Sequence, residues 1–192
     1  MSKVTWKSGN FIYPIPAVMV SCGTMENSNI ITVAWTGTIN TNPAMAYISV
    51  RKERYSYDII KKQKEFVINL TNENLAFATD YCGVKSGKNV DKFKDMKLTK
   101  QKATYLKCPM IEESPVSIEC KVVEERDLGS HTMFVAEVLA INVDEKYIDS
   151  NGSFDISKCK LIAYSNGGYY ALRKENWQIW LFSSKEEKKF QK

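Results

Sequence analysis

Two sequence patterns predict a chain built mainly from β-strands. In some segments apolar and polar residues alternate, and other short segments are apolar on both faces of the predicted strand. The strands are separated by segments rich in glycine, asparagine and proline, which favour turns. The clearest alternation is in Val116–Val123, and we expect the long strand that follows it to pair with it antiparallel. The predicted strands are Ala17–Cys22, Ala44–Val50, Glu65–Leu70, Val116–Val123, Thr132–Val143 and Leu161–Tyr164.

Two short helices are predicted among these strands. Ser56 can cap a helix that runs to Lys64, and Glu73–Tyr81 has apolar residues at helical spacing. Cys82–Phe93 is predicted to be a loop that carries three lysines and two glycines. Many strands with few short helices indicate a closed or sandwiched β architecture rather than alternating βαβ units.

The stretch Ile31–Ile39 has an unusual pattern. If it is one strand, Thr32, Ala34, Thr36 and Thr38 share one face, and Trp35 anchors the other. A face of small residues and hydroxyls lets a flat ligand lie close to the backbone. The turn signal Asn42–Pro43 then leads into the strand that ends beside Arg51.

Arg51, Lys52 and Arg54 precede the helix predicted to begin at Ser56. Cations at the amino end of a helix favour a phosphate dianion, because backbone N–H groups without partners point outward there. A flat pocket beside a phosphate clamp suits flavin mononucleotide (FMN). A half-buried hairpin with a solvated basic rim explains this pattern equally well.

Size and composition describe one globular domain. The chain has 192 residues, 44% hydrophobic residues, 26% charged residues and a net charge of +5. This mild charge does not indicate nucleic acid, and the basic residues near the aromatic Tyr169–Trp180 form no continuous stripe. No apolar run is long enough to span a membrane, and a signal-peptide pattern is absent.

Cysteine and histidine usage narrows the chemistry. Five scattered cysteines, an odd number, favour reduced thiols in a cytoplasm. One histidine, His131, and no Cys-x-x-Cys pair argue against a transition-metal site, so we predict no metal. Motifs for a nucleophile elbow, a dinucleotide fold or a P-loop are missing.

Four segments together resemble the flavin reductase-like, FMN-binding split-barrel family. They are NSNIITVAWTG at Asn27–Gly37, ISVRKERYSY at Ile48–Tyr57, CGVKSGKNVDKF at Cys82–Phe93 and GSHTMFVAEV at Gly129–Val138. The resemblance covers nearly everything from Pro16 to Tyr170, and the order and spacing of the segments make it specific.

The resemblance implies a mainly β fold with short helices, a six-stranded Greek-key split β-barrel, and a homodimer that binds FMN near each interface. His131 would face the open side of the flavin as the catalytic residue. The implied cofactor-binding residues are Asn29, Thr32, Ala34, Trp35, Thr36, Ser49, Val50, Arg51, Arg54, Ser56, Asn69, Cys82, Ser86 and Lys92.

The implied activity is that of a cytoplasmic oxidoreductase in which NAD(P)H reduces bound FMN and electrons pass to an acceptor. A flavoredoxin-type carrier, reduced by a protein partner, and a flavin storage or sensing module are the alternatives. Residues 1–175 form the predicted domain. The tail 176–192 departs from the family pattern, and its apolar residues are expected to pack on the dimer partner or over the flavin groove.

Overall fold

The computed structural model describes residues 1–172. The strands are β1 (Ile15–Pro16), β2 (Val18–Gly23), β3 (Ser28–Val33), β4 (Thr36–Thr41), β5 (Ala44–Arg51), β6 (Glu65–Leu70), β7 (Lys100–Gln101), β8 (Met110–Ile111), β9 (Val116–Asp127), β10 (His131–Val143), β11 (Ile162–Ser165) and β12 (Gly168–Ala171). The α-helices are α1 (Tyr55–Gln63), α2 (Ala76–Val84) and α3 (Lys92–Asp95), and short 3-10 turns cover Glu73–Leu75, Glu145–Tyr147 and Ile156–Cys159.

Seven strands form the main sheet, in the order β3-β2-β6-β9-β10-β5-β4. Its outermost strands, β3 and β4, are joined by only Ala34 and Trp35. Three Cα steps span at most about 11 Å, so the sheet curls until its two edges approach each other. The two-residue crossing from β3 to β4 is bonded to β5, because the backbone N–H of Ser49 donates to the carbonyl oxygen of Trp35 at 2.9 Å.

This crossing corrects one prediction. Ile31–Ile39 is not a single strand, so the shared face of small residues and hydroxyls does not form. The chain leaves β3 at Val33 and enters β4 at Thr36, because the two halves pair with strands on opposite sides of the barrel. The predicted mainly β split-barrel fold is confirmed, and its six strands are obtained when β3 and β4 count as one bent strand.

The barrel interior holds the largest apolar cluster, which includes Val20, Ile48, Phe66 and Phe134. A second cluster lies on the outer face of β2 and β3, where Met19 packs against residues of α2 and α3. β2 is therefore buried on both faces. This double burial explains why its sequence is a continuous apolar run instead of an alternating one.

Most predicted elements are confirmed, with shifts at their ends. β9 and β10 pair antiparallel as expected, and Asn166–Gly167 forms a tight hairpin turn in which both residues have positive φ. Two local predictions are wrong. Arg54, not Ser56, occupies the N-cap of α1, and the predicted loop Cys82–Phe93 begins inside α2 and ends inside α3.

All five cysteines lie within the described residues and are free and buried. Of the helices in residues 1–172, none has the length and apolar character needed to cross a bilayer.

A buried carboxylate fixes the segment that crosses one outer side of β9. Glu119 is fully buried, and its carboxylate accepts hydrogen bonds from the backbone N–H groups of Thr104, Tyr105 and Leu106, and from the side chain of Asn142. Burial raises the pKa of Glu119, but these donors outweigh burial and hold it below its ordinary value.

We predict that Glu119→Gln lowers the free energy of unfolding by about 2–3 kcal/mol at neutral pH, because an amide cannot accept from all of these donors. A carboxyl whose folded-state pKa is depressed stabilises the protein above its unfolded pKa of about 4.3 and loses that contribution as the pH falls. The loss of stability on acidification should therefore be smaller in the variant. Urea unfolding at several pH values measures both effects, and the exposed Glu124→Gln is the matched control.

Candidate functional site

A cavity of about 230 Å³ lies where β3, the start of α1 and the segment after α2 meet. Three cations and one carboxylate are among its lining side chains, so its charge favours an anion. The lining residues are Asn29, Ile31, Glu53, Arg54, Tyr55, Ser56, Cys82, Lys85, Ser86, Gly87 and Lys92.

Lys92 is the most unusual of these residues because its side chain is only 4% exposed. Its ammonium donates to the carbonyl oxygens of Ile30 and Cys82, each at 2.7 Å. Burial lowers the pKa of Lys92, and the charge of Arg54 lowers it further. A lysine ammonium has three donors, so a third remains for an anion in the cavity, and such an anion would offset the cost of burying the charge.

The start of α1 forms another wall. Residues 53–56 line the cavity. In the first turn of α1 the N–H of Tyr57 donates to the carbonyl oxygen of Arg54, whereas the N–H groups of Tyr55 and Ser56 precede the first hydrogen bonds of the helix. Arg54 Nη1 donates to the carbonyl oxygen of Gly83 at 3.2 Å, which holds the guanidinium at the cavity rim. The dipole of α1 adds a partial positive charge at the same place.

Asn29 and Gly87 determine how closely the walls approach. The side-chain amide of Asn29 donates to the Ser56 hydroxyl at 2.8 Å, which ties β3 to α1. Gly87 lies directly over this contact. A Cβ at position 87 would lie 2.2 Å from Asn29 Oδ1 and 2.7 Å from a ring carbon of Tyr55. The loop can pack there only because residue 87 has no side chain.

An aromatic pair is linked to this cavity through Arg51 and Glu53. The rings of Trp35 and His131 are 4.5 Å apart between centroids, and His131 pairs across the sheet with Arg51. Arg51 in turn forms an ion pair of 3.3 Å with Glu53, which lines the cavity. Burial lowers the pKa of His131, and the charge of Arg51 lowers it further. The imidazole is therefore neutral at neutral pH.

Cys82 lies deep in the cavity wall on α2. Burial raises its pKa to about 11, although the charge of Lys92 partly opposes this. Cys82 is therefore a neutral thiol at pH 7 and not a nucleophilic thiolate.

The structure brings together six of the predicted cofactor-binding residues: Asn29, Arg54, Ser56, Cys82, Ser86 and Lys92. Four others lie on the crossing from β3 to β4 or on β5, and none of them lines the cavity. Of these, Arg51 is joined to the cavity by its ion pair with Glu53, and Trp35 is linked to Arg51 through His131. The Ser49 N–H donates to the Trp35 carbonyl oxygen. Ala34 lies within the crossing itself.

The other four predicted residues do not line the cavity and have partners within the protein. The Thr32 hydroxyl donates to the Thr79 carbonyl oxygen and fixes α2 to β3, and Thr36 donates to the Tyr47 carbonyl oxygen at 2.6 Å. Val50 belongs to the barrel core. Asn69 is fully buried and bonds to both neighbouring strands and to the Ile111 backbone, so the structure does not bring it to the cavity.

The set of predicted cofactor-binding residues omits five lining residues: Ile31, Glu53, Tyr55, Lys85 and Gly87. Three signals were available in the sequence. Ile31 shares a face with Asn29 on β3, Glu53 and Tyr55 are interleaved with the predicted Arg54 and Ser56, and Lys85 and Gly87 flank Ser86.

Among residues 1–172, no cluster of histidine, cysteine, aspartate or glutamate side chains could hold a metal ion.

The fold and the cavity together define the class of protein: a curled β-sheet that carries a cationic cavity beside one edge. The family model for a flavin reductase like domain matches residues 10–173, and the chain therefore belongs to the flavin reductase-like family.

Two flavoredoxins are similar in structure. The chain aligns with flavoredoxin of Desulfovibrio vulgaris (Miyazaki F) at a TM-score of 0.86 and 28% identity, covering 96% of this chain and 100% of that one. Flavoredoxin from Methanosarcina acetivorans aligns at a TM-score of 0.84 and 26% identity, covering 93% and 96%. An uncharacterized protein of Pyrococcus abyssi is 31% identical over 135 residues, which are 70% of this chain and 77% of that protein.

We predict that Gly87→Ala weakens the binding of FMN, used as an anionic probe, by about tenfold or more, because the new methyl group pushes the loop away from Asn29 and Tyr55. Fluorescence titration of FMN measures the Kd. The control is Asn89→Ala, an exposed position of the same loop that does not line the cavity. Equal affinities for Gly87→Ala and the parent would show that the close approach is unimportant for binding.

Proposed function

We propose that this protein is an FMN-binding flavoprotein oxidoreductase that passes electrons from NAD(P)H through bound FMN to an acceptor. The observation that carries the proposal is the buried ammonium of Lys92, which lines the same cavity as Arg54 and the start of α1. A buried lysine aimed at a cavity without a carboxylate partner suits an anionic ligand group.

The cavity and its donors fit the phosphate end of FMN. Its volume of about 230 Å³ is below the roughly 300–1,000 Å³ of pockets that enclose a whole ligand. The cavity would therefore hold the phosphate and part of the ribityl chain, with Ser56 and Ser86 adding hydroxyl donors. Trp35, Ser49 and Arg51, which lie outside the cavity lining, would contact the ring system.

When bound, FMN supplies the redox chemistry, and the protein binds, orients and tunes it. Arg54 and Lys92 would neutralise the phosphate, and Arg51 would place positive charge near the ring. His131, neutral at pH 7 and in tilted ring contact with Trp35, would limit access to the ring and position an incoming electron donor. The nicotinamide and the flavin would supply the hydride chemistry, so none of these residues would need to act as an acid or a base.

A second candidate function is a flavoredoxin-type electron carrier that is reduced by a protein partner. The likeness to two proteins named flavoredoxin favours this candidate. Both functions share the FMN site, so they differ only in the electron donor. Anaerobic mixing distinguishes them. Bleaching of the bound flavin by NADH or NADPH supports the oxidoreductase, and bleaching by reduced ferredoxin alone supports the carrier.

We also propose a homodimer that works in the cytoplasm. β4 is an edge strand within the described residues, and Ile39 on it is 47% exposed, so a second copy could cover it. Five buried free cysteines suit a reducing compartment. Light scattering coupled to gel filtration tests the oligomeric state, and a monomer at micromolar concentration would contradict it.

We predict that Arg54→Gln weakens FMN binding by about 10- to 100-fold, because one charge-assisted hydrogen bond to the phosphate is lost. Riboflavin, which has no phosphate, should lose little. Parallel titrations with both ligands provide the measurement, and Lys88→Gln, exposed on the loop and outside the cavity lining, is the matched control. Equal losses for the two ligands would mean that the cavity does not hold the phosphate.

We predict that His131→Gln lowers the rate at which NAD(P)H bleaches the flavin by about tenfold and leaves the Kd for FMN within about twofold of the parent, since His131 does not line the cavity. Stopped-flow absorbance gives the rate, and the FMN titration is the internal control. A rate equal to that of the parent would remove His131 from the proposed mechanism.

A further inference from the structure

A second cavity, of about 270 Å³, lies under the sheet formed by β1, β11 and β12. Residues 14–18, 70–71, 161–163 and 172 line it, and only one of them, Thr71, has a polar side chain. The Thr71 hydroxyl donates to the carbonyl oxygen of Ala17, so it is already satisfied. The cavity therefore favours an apolar occupant.

This cavity shares no lining residue with the cationic cavity. Val18 lines it at one end of β2, whereas Cys22 at the other end pairs with Asn29 of the cationic cavity. These ends of β2 are about 13 Å apart along the strand. An occupant here is therefore separate from the proposed flavin site.

The amino-terminal segment does not fill the cavity. Trp6, Phe11 and Ile12 are each more than four-fifths exposed. Tyr13 instead lies against Tyr164, with ring centroids 6.3 Å apart. The remaining apolar part of the chain lies outside the described residues.

The described chain ends at the cavity itself. Leu172 lines the cavity, and its N–H donates to the carbonyl oxygen of Leu161 at 2.9 Å. The sequence continues with the polar residues 173–176 and then with Trp177, Gln178, Ile179, Trp180, Leu181 and Phe182. Five of these last six residues are large and apolar. The family model matches residues 10–173, so residues 177–182 lie beyond the matched domain.

We propose that residues 177–182 bind in this apolar cavity of their own chain. Trp177 is five residues from Leu172, a reach of up to about 17 Å, and residues 173–176 are enough for the chain to turn back. A tether this short gives an effective concentration in the millimolar range, so binding within the chain is favoured over binding to another copy. An apolar cavity of about 150 Å³ already admits a benzene ring, so this larger one has room for an indole.

The proposal is tested on the full chain labelled with 5-fluorotryptophan, which marks Trp6, Trp35, Trp177 and Trp180. Single Trp→Phe variants assign the fluorine signals, and a soluble paramagnetic agent measures their exposure. We expect Trp177 or Trp180 to be protected relative to Trp6. Ala163→Leu narrows the cavity and should abolish that protection, whereas Ala171→Leu, exposed on the same hairpin, should preserve it.

Three outcomes would overturn the proposal. Both tail tryptophans could be as exposed as Trp6, their protection could survive Ala163→Leu, or excess unlabelled parent protein could restore protection to the labelled Ala163→Leu chain. The third outcome would place the tail in the cavity of a second copy.

Circular dichroism and FMN titration confirm that Ala163→Leu is folded. If it is not, loss of the ring-current shifts of the Leu70 and Leu161 methyl groups in Trp177→Ala or Trp180→Ala provides the test, and unchanged shifts in both variants count against the proposal.

Discussion

The two-residue passage from β3 to β4 is the constraint on which this structure depends. Ala34 and Trp35 join strands at opposite edges of a seven-stranded sheet, so the sheet has to curl. Curling brings β3 beside β5 and the start of α1, which allows Asn29 to reach Ser56. It also places Trp35 against His131 from a distant strand. A flat sheet of the same strands would leave these residues far apart.

Around that crossing, the cationic cavity is held by hydrogen bonds that a ligand does not have to provide. Lys92 uses two donors to join β3 to α2, Arg54 reaches the end of α2, and Asn29 joins β3 to α1. These contacts order the cations before an anion arrives, which reduces the entropy cost of binding. The same bonds fix three separate elements to one another, so binding and local stability are expected to be linked.

The two cavities differ in polarity and share no lining residue, so they suit different kinds of occupant. The cationic cavity combines charge, hydroxyl groups and helix N–H groups, and the apolar cavity has a single polar side chain that is already satisfied. The first suits a small anion attached to a larger ligand, and the second suits hydrophobic side chains. β2 runs between them, since Val18 lines the apolar cavity and Cys22 pairs with Asn29 of the cationic cavity.

The sequence by itself determined the strand content, the antiparallel pair β9–β10 and six of the cavity residues, because alternation, turn residues and short motifs are local signals. Only the tertiary structure decided that Ile31–Ile39 splits into two strands and that Asn69 bonds within the core. It also decided that Lys92 is buried and that Glu53 and Tyr55 line the cavity. Those outcomes depend on which edges of the sheet meet, and edge contacts join residues that are far apart in the chain.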